Sequence, residues 1–466
     1  MVESGDAWSA RLREPAPVHF IGVGGVGMAG LARLLRQAGF PVSGSDLSPG
    51  SLGEDLRDLG ARVFAGHHAG HVPPETAWVV RTPAVAPDNP ELEAARARHL
   101  PVFARGDVLA AISRSRPSLA VAGAHGKTTT SAMLAHVLRA CGIDAGYAIG
   151  GETSLPGKIA DTGMDPHFVC EADESDGTLV AYTAEVGILT HVEWDHIEHF
   201  RSMESLLDCY RRFAFRCRTL WIRGDDPLAA RVAEGHPRVR RAGESEGADL
   251  RLLSAEDDPQ GQTIRLAESV GRLPLPGRHN AWNALLALGA AGELGVAPAR
   301  GLAALASFVS VGRRFDRVEV GGITLVSDYA HHPTEIRALL DSARALGPRR
   351  IRVAFQPHRY SRTRHLLDEF ARCFAGVAEL HLLPVYAASE RPSQGVGSDA
   401  LARACDPFVP TRLHADAEAL AAAVLPGFCN GDVFLIVGAG DIVRMLPMLR
   451  EKLMKKRDVT HGQTLP

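Results

Sequence analysis

Short apolar runs alternate with segments of helical period along this chain, and polar residues collect where the runs end. In "VHFIGVGGVGMAGLARLLRQAGF", Val18, Phe20 and Ile21 form a β-like run, and Met28, Leu31, Leu34 and Leu35 then fall on one helical face. "PVSGSD" reads as a second strand ending at Asp46, and "TAWVVRTPAV" and "LPVFARGDVL" supply later strands. A second series starts at "SLAVAG", and Met133, Leu134, Val137 and Leu138 mark a face of the helix after it. "HFVCEADESD", "VGILTHVEWDH" and "TLWIRGDDP" each read as a strand running into acidic or histidine residues. A third series holds "ITLVSDYAHHP", "RIRVAFQPHRY", "ELHLLPVYAASE" and "VFLIVGAGDI". Such alternation predicts α/β architecture, parallel sheets covered by helices, with ligands beyond the carboxyl ends of the strands.

Composition narrows the class. The 466 residues exceed one ordinary core, and 45% apolar with 23% charged content is the profile of a soluble globular protein. A net charge of −3 gives no electrostatic case for nucleic acid or an anionic membrane. No apolar run has bilayer-spanning length and the polar start lacks a signal-peptide core, so a cytoplasmic enzyme is expected. Seven scattered cysteines without C-x-x-C spacing argue against a disulfide framework or a zinc knuckle. Only five of the 51 basic residues are lysines, and one of them, Lys127, lies within "VAGAHGKTTT". A compact ammonium fits among phosphate oxygens where a planar guanidinium does not.

That stretch is a shortened phosphate loop. Gly123 permits a tight turn off the strand, Gly126 lets backbone amides approach phosphate, and the helix then begins at the anion. Lys127 would meet the β/γ-phosphates and Thr128 would bind Mg²⁺, with Ala124, His125 and Thr129 completing the loop. "EADESD" packs Glu171, Asp173, Glu174 and Asp176 so densely that a hard cation would relieve the repulsion. "HVEWDHIEH" invites a zinc reading but lacks H-E-x-x-H; Mg²⁺ through His196 and a non-ligand loop are the other readings.

In "GRHNAWNAL", His279, Asn280 and Asn283 fall within one helical turn, where asparagine amides can read an adenine edge or simply cap the helix. Gly22, Gly24 and Gly27, with Gly25 extra, form G-x-G-x-x-G between a strand and a helix, and Asp46 follows 19 residues later. That fits a dinucleotide fingerprint without saying which diphosphate sits there, so a nicotinamide-dependent oxidoreductase stays open. Arg359 and Arg362 in "FQPHRYSRTR" could clamp a carboxylate.

Together, "HFIGVGGVGMAGLA", "GAHGKTTT", "EADESD", "GRHNAWNAL", "GRRFD", "DYAHHPTE", "FQPHRYSRT" and "GAGDI", in this order from Val18 to Met445, resemble the Mur ligases. These are the ATP-dependent amide-forming enzymes of peptidoglycan assembly. The resemblance implies three domains: a Rossmann-like N-terminal domain (15–114) for the UDP-sugar, a central P-loop ATPase-like domain (115–311) for ATP and Mg²⁺, and a C-terminal Rossmann-like α/β domain (312–455) for the amino acid. The joints are expected near "RSRPS" and "SVGRRFD". It implies UDP pyrophosphate at Gly22, Gly24, Gly25 and Gly27 with Ser45 and Asp46, phosphate and metal contact at Lys127 and Thr128, and Mg²⁺ on Glu171 and His196. It also implies that Asn280 and Asn283 face adenine, that Arg314 and Asp328 line the ATP cleft, and that His331, Arg359 and Arg362 face the amino acid or the reacting centre. His331 is the candidate proton acceptor.

The branch resembled most joins L-alanine to UDP-N-acetylmuramate; a related recycling ligase adds a tripeptide to the same sugar nucleotide. The glycine pair Gly24–Gly25 favours the alanine branch over the recycling one. Ala124, Ser327 and Ala330 depart from the usual family residues. Lys158 lies too early to match the carbamylated lysine of other branches. A monomer or homodimer is expected.

Overall fold

The computed structural model describes residues 11–462 apart from 83, 176, 196–198, 389 and 392–396. The first sheet contains β1 (Val18–Ile21), β2 (Val42–Asp46), β3 (Arg62–Ala65), β4 (Trp78–Arg81) and β5 (Val102–Ala104), in the order β3-β2-β1-β4-β5. All of its pairings are parallel. The strand order reverses between β1 and β4, so the crevice for a ligand opens where β1 ends. Every residue of β1 is buried, as a strand covered on both faces requires. The helix Val26–Gln37 buries Met28, Leu31, Leu34 and Leu35 against the sheet and stops at Gly39, whose φ is +90°.

The second sheet has ten strands: β6 (Ser118–Ala122), β7 (Gly146–Ala148), β8 (Ala160–Asp161), β9 (Phe168–Glu171), β10 (Ala184–Leu189), β11 (Cys217–Arg223), β12 (Val239–Gly243), β13 (Leu250–Asp258), β14 (Gly261–Leu266) and β15 (Val270–Leu273). The order β15-β14-β13-β12-β11-β10-β6-β9-β7-β8 places β6 between β10 and β9, parallel to both. Met133, Leu134, Val137 and Leu138 of the helix Lys127–Ala140 have no solvent exposure. The strands beyond β11 were not expected. β13 is charged and only two of its nine residues are buried, and it lacks the continuous apolar run that marks a central parallel strand.

The third sheet is β16 (Asp316–Val320), β17 (Ile323–Asp328), β18 (Arg350–Phe355), β19 (Glu379–Leu382), β20 (Thr411–Leu413) and β21 (Asp432–Val437), ordered β16-β17-β21-β18-β19-β20. β16 and β17 form an antiparallel hairpin across Gly321 and Gly322, both at positive φ, as a two-residue turn of matching twist requires. Along β21, Val433, Leu435 and Val437 enter one core cluster and Phe434 and Ile436 another, so both faces are covered.

The chain gathers into two compact units. The first holds the residues up to Ser254 with Ile264–Arg272 and Ala281–Val309; the second holds Ala255–Thr263, Leu273–Asn280 and the chain from Ser310 on. The second unit's main segment starts at Ser310, inside the expected second joint. Across the expected first joint, one apolar cluster runs from Val18 through Ile159 and Ala160 to Ala233. Polar ties reinforce it: the Lys158 ammonium lies 3.0 Å from the Asp55 carboxylate, and Arg114 donates to Ala181 O at 2.7 Å.

Candidate functional site

Two glycine turns and an acidic loop hold the expected site residues of the first unit. Gly123 has φ +128°, and a Cβ there would stand 2.3 Å from Thr190 Oγ1. Gly126 has φ +82°, and a Cβ there would stand 2.5 Å from Asn283 Oδ1. Both positions therefore demand glycine twice over, by backbone conformation and by space. The loop is tied behind by Ala124 N donating to His191 O (2.8 Å) and by the Thr190 hydroxyl donating to His125 O (2.5 Å). His125 Nε2 lies 2.9 Å from Glu193 Oε2. His191 Nδ1 lies 2.7 Å from Asp226, which also accepts the amides of Val192, Leu228 and Ala229.

Lys127 opens the helix and donates to both oxygens of Glu174, at 2.9 and 3.0 Å, and to Gly123 O at 2.7 Å. Burial alone would pull its pKa down; the carboxylates of Glu174, Asp173 and Glu171 more than offset that and hold the ammonium above the usual lysine range. Thr128 Oγ1 lies 3.1 and 3.0 Å from the two Glu171 oxygens, and Gly150 N donates to Glu171 at 2.9 Å. Octahedral Mg²⁺ ligands at ~2.1 Å from the ion stand about 3 Å apart, so this hydroxyl–carboxylate pair fits such an ion. The expected repulsion in the acidic loop is relieved within the protein as well: Lys127 answers Glu174, and Arg105 lies 3.6 Å from Asp173. His196 and Asp176 lie outside the described residues.

At the first glycine turn, Gly22 has φ +87°, and Gly22 N and Val23 N both donate to Ser45 O, at 2.8 and 2.9 Å. Asp46 accepts Gly24 N at 3.0 Å and Ser48 N at 2.8 Å. Gly25 is the N-cap of the helix that follows. A Cβ on Gly27 would stand 2.8 Å from Arg105 Nη1, so that guanidinium borders the turn. Arg105, which touches both the turn and the acidic loop, was not among the expected site residues. It is one arginine in an arginine-rich chain, and its neighbours are distant in sequence.

The second unit gathers the other expected residues. Asp328 accepts Phe315 N (2.8 Å) and Ala330 N (2.7 Å). Burial raises its pKa against the opposing pull of Arg314 and of those amides. Arg313 and Arg314 lie over the Tyr329 ring, at 4.7 and 5.1 Å from its centroid. His279 is pushed down to about 4 by burial and by Arg314. Asn280 spends its amide nitrogen on Pro276 O at 2.8 Å, a donation to a carbonyl ahead of the helix rather than a cap on its free amides.

His331 Nδ1 lies 3.1 Å from Tyr329 O and 3.4 Å from Glu335 Oε2. Its ring centroid is 5.8 Å from that of His358, which stacks on Tyr386 at 5.6 Å. Arg359 has φ +70°, a conformation that costs a non-glycine residue energy, and it lies 3.8 Å from Glu390. Arg362 is buried, 3.5 Å from His358 Nδ1. Burial, Arg362 and Arg359 push His358 down to about 4. His358, Tyr386 and Glu390 are additions to the expected set; His358 directly precedes Arg359 and was visible in the same motif.

Three family models match in chain order: "Mur ligase family, catalytic domain" over 17–117, "Mur ligase middle domain" over 121–291 and "Mur ligase, glutamate ligase domain" over 313–440. The chain belongs to the Mur ligase family. It is 40% identical over 453 residues to the UDP-N-acetylmuramate–L-alanine ligase of Anaeromyxobacter sp. strain Fw109-5, covering 93% of this chain and 97% of that one. The solved UDP-N-acetylmuramate-alanine ligase of Thermotoga maritima superposes with TM-score 0.81 at 27% identity, over 95% of this chain and 100% of that one. A murein peptide ligase of Psychrobacter arcticus shares the fold, with TM-score 0.71 at 22% identity over 94% and 98% of the two chains. This Mur ligase is an amide-bond-forming enzyme of α/β architecture, and its likeness is greater to the UDP-N-acetylmuramate–alanine ligases than to the murein peptide ligase. An oxidoreductase reading of the first glycine turn gives way to the family match over that turn. No helix among the described residues is long and apolar enough to cross a membrane.

Proposed function

We propose that this Mur ligase joins L-alanine to the carboxylate of UDP-N-acetylmuramate, with ATP as phosphoryl donor. The observation that carries this reading is the corner made by Lys127, Thr128 and Glu171 at the start of a helix, in a chain 40% identical to alanine-adding ligases. The proposed domains are 15–114 for the sugar nucleotide, 115–311 for ATP and 312–455 for the amino acid. The proposed setting is the cytoplasm, with the enzyme a monomer or homodimer.

An amide cannot form directly from a carboxylate, which is a poor electrophile. The muramate carboxylate attacks the γ-phosphorus of ATP, an acyl phosphate forms and ADP leaves. Such transfer depends on positioning and charge. Lys127, held protonated, offsets the gathering anions, and the open amides after Gly126 point at the phosphates. The γ-phosphate would share the Lys127 ammonium with Glu174, whose two oxygens it already meets. Mg²⁺ on Thr128 and Glu171 would supply further neutralisation of phosphate oxygens. Asn283, against Gly126, and His279, Asn280, Arg314 and Asp328 are the remaining proposed ATP-side groups.

The amine of alanine then attacks the acyl carbon and phosphate leaves. Arg359 and Arg362 are proposed to hold the alanine carboxylate. His331 is proposed to accept the ammonium proton. A proton on Nδ1, directed at Tyr329 O, leaves Nε2 as the basic atom of the neutral ring. Gly22, Gly24, Gly25, Gly27, Ser45 and Asp46 are proposed to seat the UDP pyrophosphate and ribose, with Arg105 supplying the positive charge.

The test is ADP release with UDP-N-acetylmuramate, Mg²⁺ and each of several amino acids. Release that requires the sugar nucleotide and is fastest with L-alanine is expected. Release with a tripeptide but not with alanine would replace this reading by the recycling activity.

A further inference from the structure

Behind the first glycine turn lies a carboxylate that none of the motifs contains. Glu91 is the second residue of the helix Pro90–Ala97, its amide held by the Asn89 cap at 2.9 Å, and its side chain has no solvent exposure. The groups that face it come from three segments, β1, β2 and the turn 66–71. Ser45 Oγ donates to Oε2 at 2.5 Å, His19 Nε2 lies 3.2 Å from the same oxygen, and His68 N donates to Oε1 at 3.1 Å. His67 Nδ1 and His71 Nδ1 each lie 3.4 Å from Oε1. The ionisable groups against this buried acid are thus three histidines, in place of the usual arginine or lysine. Burial works to raise its pKa, but the bonds from His19 and Ser45, the charge of His19 and the His68 amide outweigh burial and bring it to about 2.

The same few atoms build the nucleotide end of the sheet. Ser45 O takes the amides of Gly22 and Val23, Asp46 takes Gly24 N, and Asp46 O takes Gly66 N at 2.8 Å. Glu91 therefore pins two of the three segments that meet there, the end of β2 through Ser45 and the turn 66–71 through His67, His68 and His71. The third segment, the glycine turn, hangs from Ser45. On the far side His19 Nδ1 lies 2.9 Å from Ser43 Oγ, so β1 and β2 are tied through the same group.

We propose that Glu91 is the positioning residue of the sugar-nucleotide site, its negative charge holding Ser45 and the 66–71 turn in the register that the uridine nucleotide requires. This rests on the reading of the first glycine turn as the UDP-sugar site. Charge is needed as well as shape. A glutamine at 91 has one acceptor oxygen: its NH₂ would either oppose the His68 N–H or force the Ser45 hydroxyl and the His19 ring to turn from donor to acceptor, which rearranges their bonds to His67 and Ser43.

The experiment measures UDP affinity by titration calorimetry, and the KM values for UDP-N-acetylmuramate and for ATP, in wild type, Glu91→Gln, Ser45→Ala and the double variant. For Glu91→Gln, the UDP dissociation constant and the sugar-nucleotide KM should rise about tenfold or more, with the ATP KM within about twofold of wild type. Ser45→Ala should act in the same direction, more weakly. The double variant should match Glu91→Gln alone, because the two groups share one bond.

Unchanged UDP affinity in Glu91→Gln overturns the proposal. So does an equal loss across both KM values and kcat with a lowered melting point, which is the mark of a merely structural acid. If Glu91→Gln does not fold, Ser45→Ala decides, and wild-type UDP affinity in it overturns the proposal. A wild type that binds UDP but releases no ADP with every reactant present sinks the ligase reading alone, since the UDP comparison between variants still stands.

Discussion

The two glycine turns of the first unit begin alike and end differently. Each leaves a buried parallel strand and opens a helix whose N-cap, Gly25 or Gly126, makes no side-chain cap bond, and neither helix has an acid in its first turn. Each therefore offers open amides to an anion. At the first, Asp46 occupies one amide and the nearby cation, Arg105, comes from another element. At the second, the cation is the next residue, Lys127, and three carboxylates bear on it. A turn that only holds a diphosphate needs a steady cradle. A turn at which a phosphoryl group changes owner needs concentrated charge of both signs, to grip the phosphate and to hold the metal.

The sharpest break in this comparison is Lys127→Ala. ADP formation should fall by at least about a hundredfold, a loss of roughly 3 kcal/mol or more of transition-state stabilisation, while UDP affinity stays at the wild-type value. Turnover close to wild type would mean that the second turn needs no charge of its own, and the distinction would vanish.

Acid separates the turns next. Glu91, behind the first, has a folded pKa of about 2, below its ordinary 4.5. A depressed carboxylate contributes stability that is complete above the unfolded value and fades as pH falls through the folded one. Unfolding free energy should therefore decline from pH 4.5 toward 2, with about 3 kcal/mol of the decline belonging to Glu91. Lys127 stays charged throughout this window and contributes none of it. Acid-induced unfolding followed by circular dichroism should show a shallower decline in Glu91→Gln than in wild type; superimposable slopes would remove the carboxylate from the account.

A pair of glycine substitutions then tests which nucleotide belongs to which turn. Gly126→Ala meets both an unfavourable φ of +82° and Asn283 Oδ1 at 2.5 Å, and Gly24→Ala meets Asp46 Cγ at 2.9 Å. Each should raise one KM about tenfold, ATP for the former and the sugar nucleotide for the latter. Crossed effects would reverse the assignments.

Much of this contrast was legible in the sequence because it rests on neighbours in the chain. Strand, glycines and helix lie within a dozen residues of each other at both turns, and the acidic loop follows its own strand directly. The three sheets and their central strands were readable for the same reason, since a strand buried on both faces shows itself as an unbroken apolar run. The edge strand β16 and the charged inner strand β13 did not, because half-exposed strands carry polar residues that read as loop. The residues missed at the site, Arg105, Glu91, His358, Tyr386 and Glu390, owe their positions to tertiary packing. Lys127 illustrates the limit from the other side. Its role in phosphate binding was expected from its motif, but its pairing with Glu174, 47 residues away, depends on β6 and β9 lying side by side.

Arg105 tests the comparison at its finest, because it belongs to neither turn by sequence and touches the surroundings of both. Its guanidinium borders Gly27, and it lies 3.6 Å from Asp173 in the acidic loop. If the first turn truly borrows its cation, Arg105→Ala should raise the sugar-nucleotide KM severalfold, about 1 kcal/mol for a partly exposed charge, and move the ATP KM less. Arg105→Lys should recover part of that loss, since an ammonium restores the charge without the planar fork. If the ATP KM moves instead, the pairing with Asp173 is the working contact. Arg105 would then count with Lys127 among the charges of the second turn, leaving the first to hold its diphosphate on backbone amides alone.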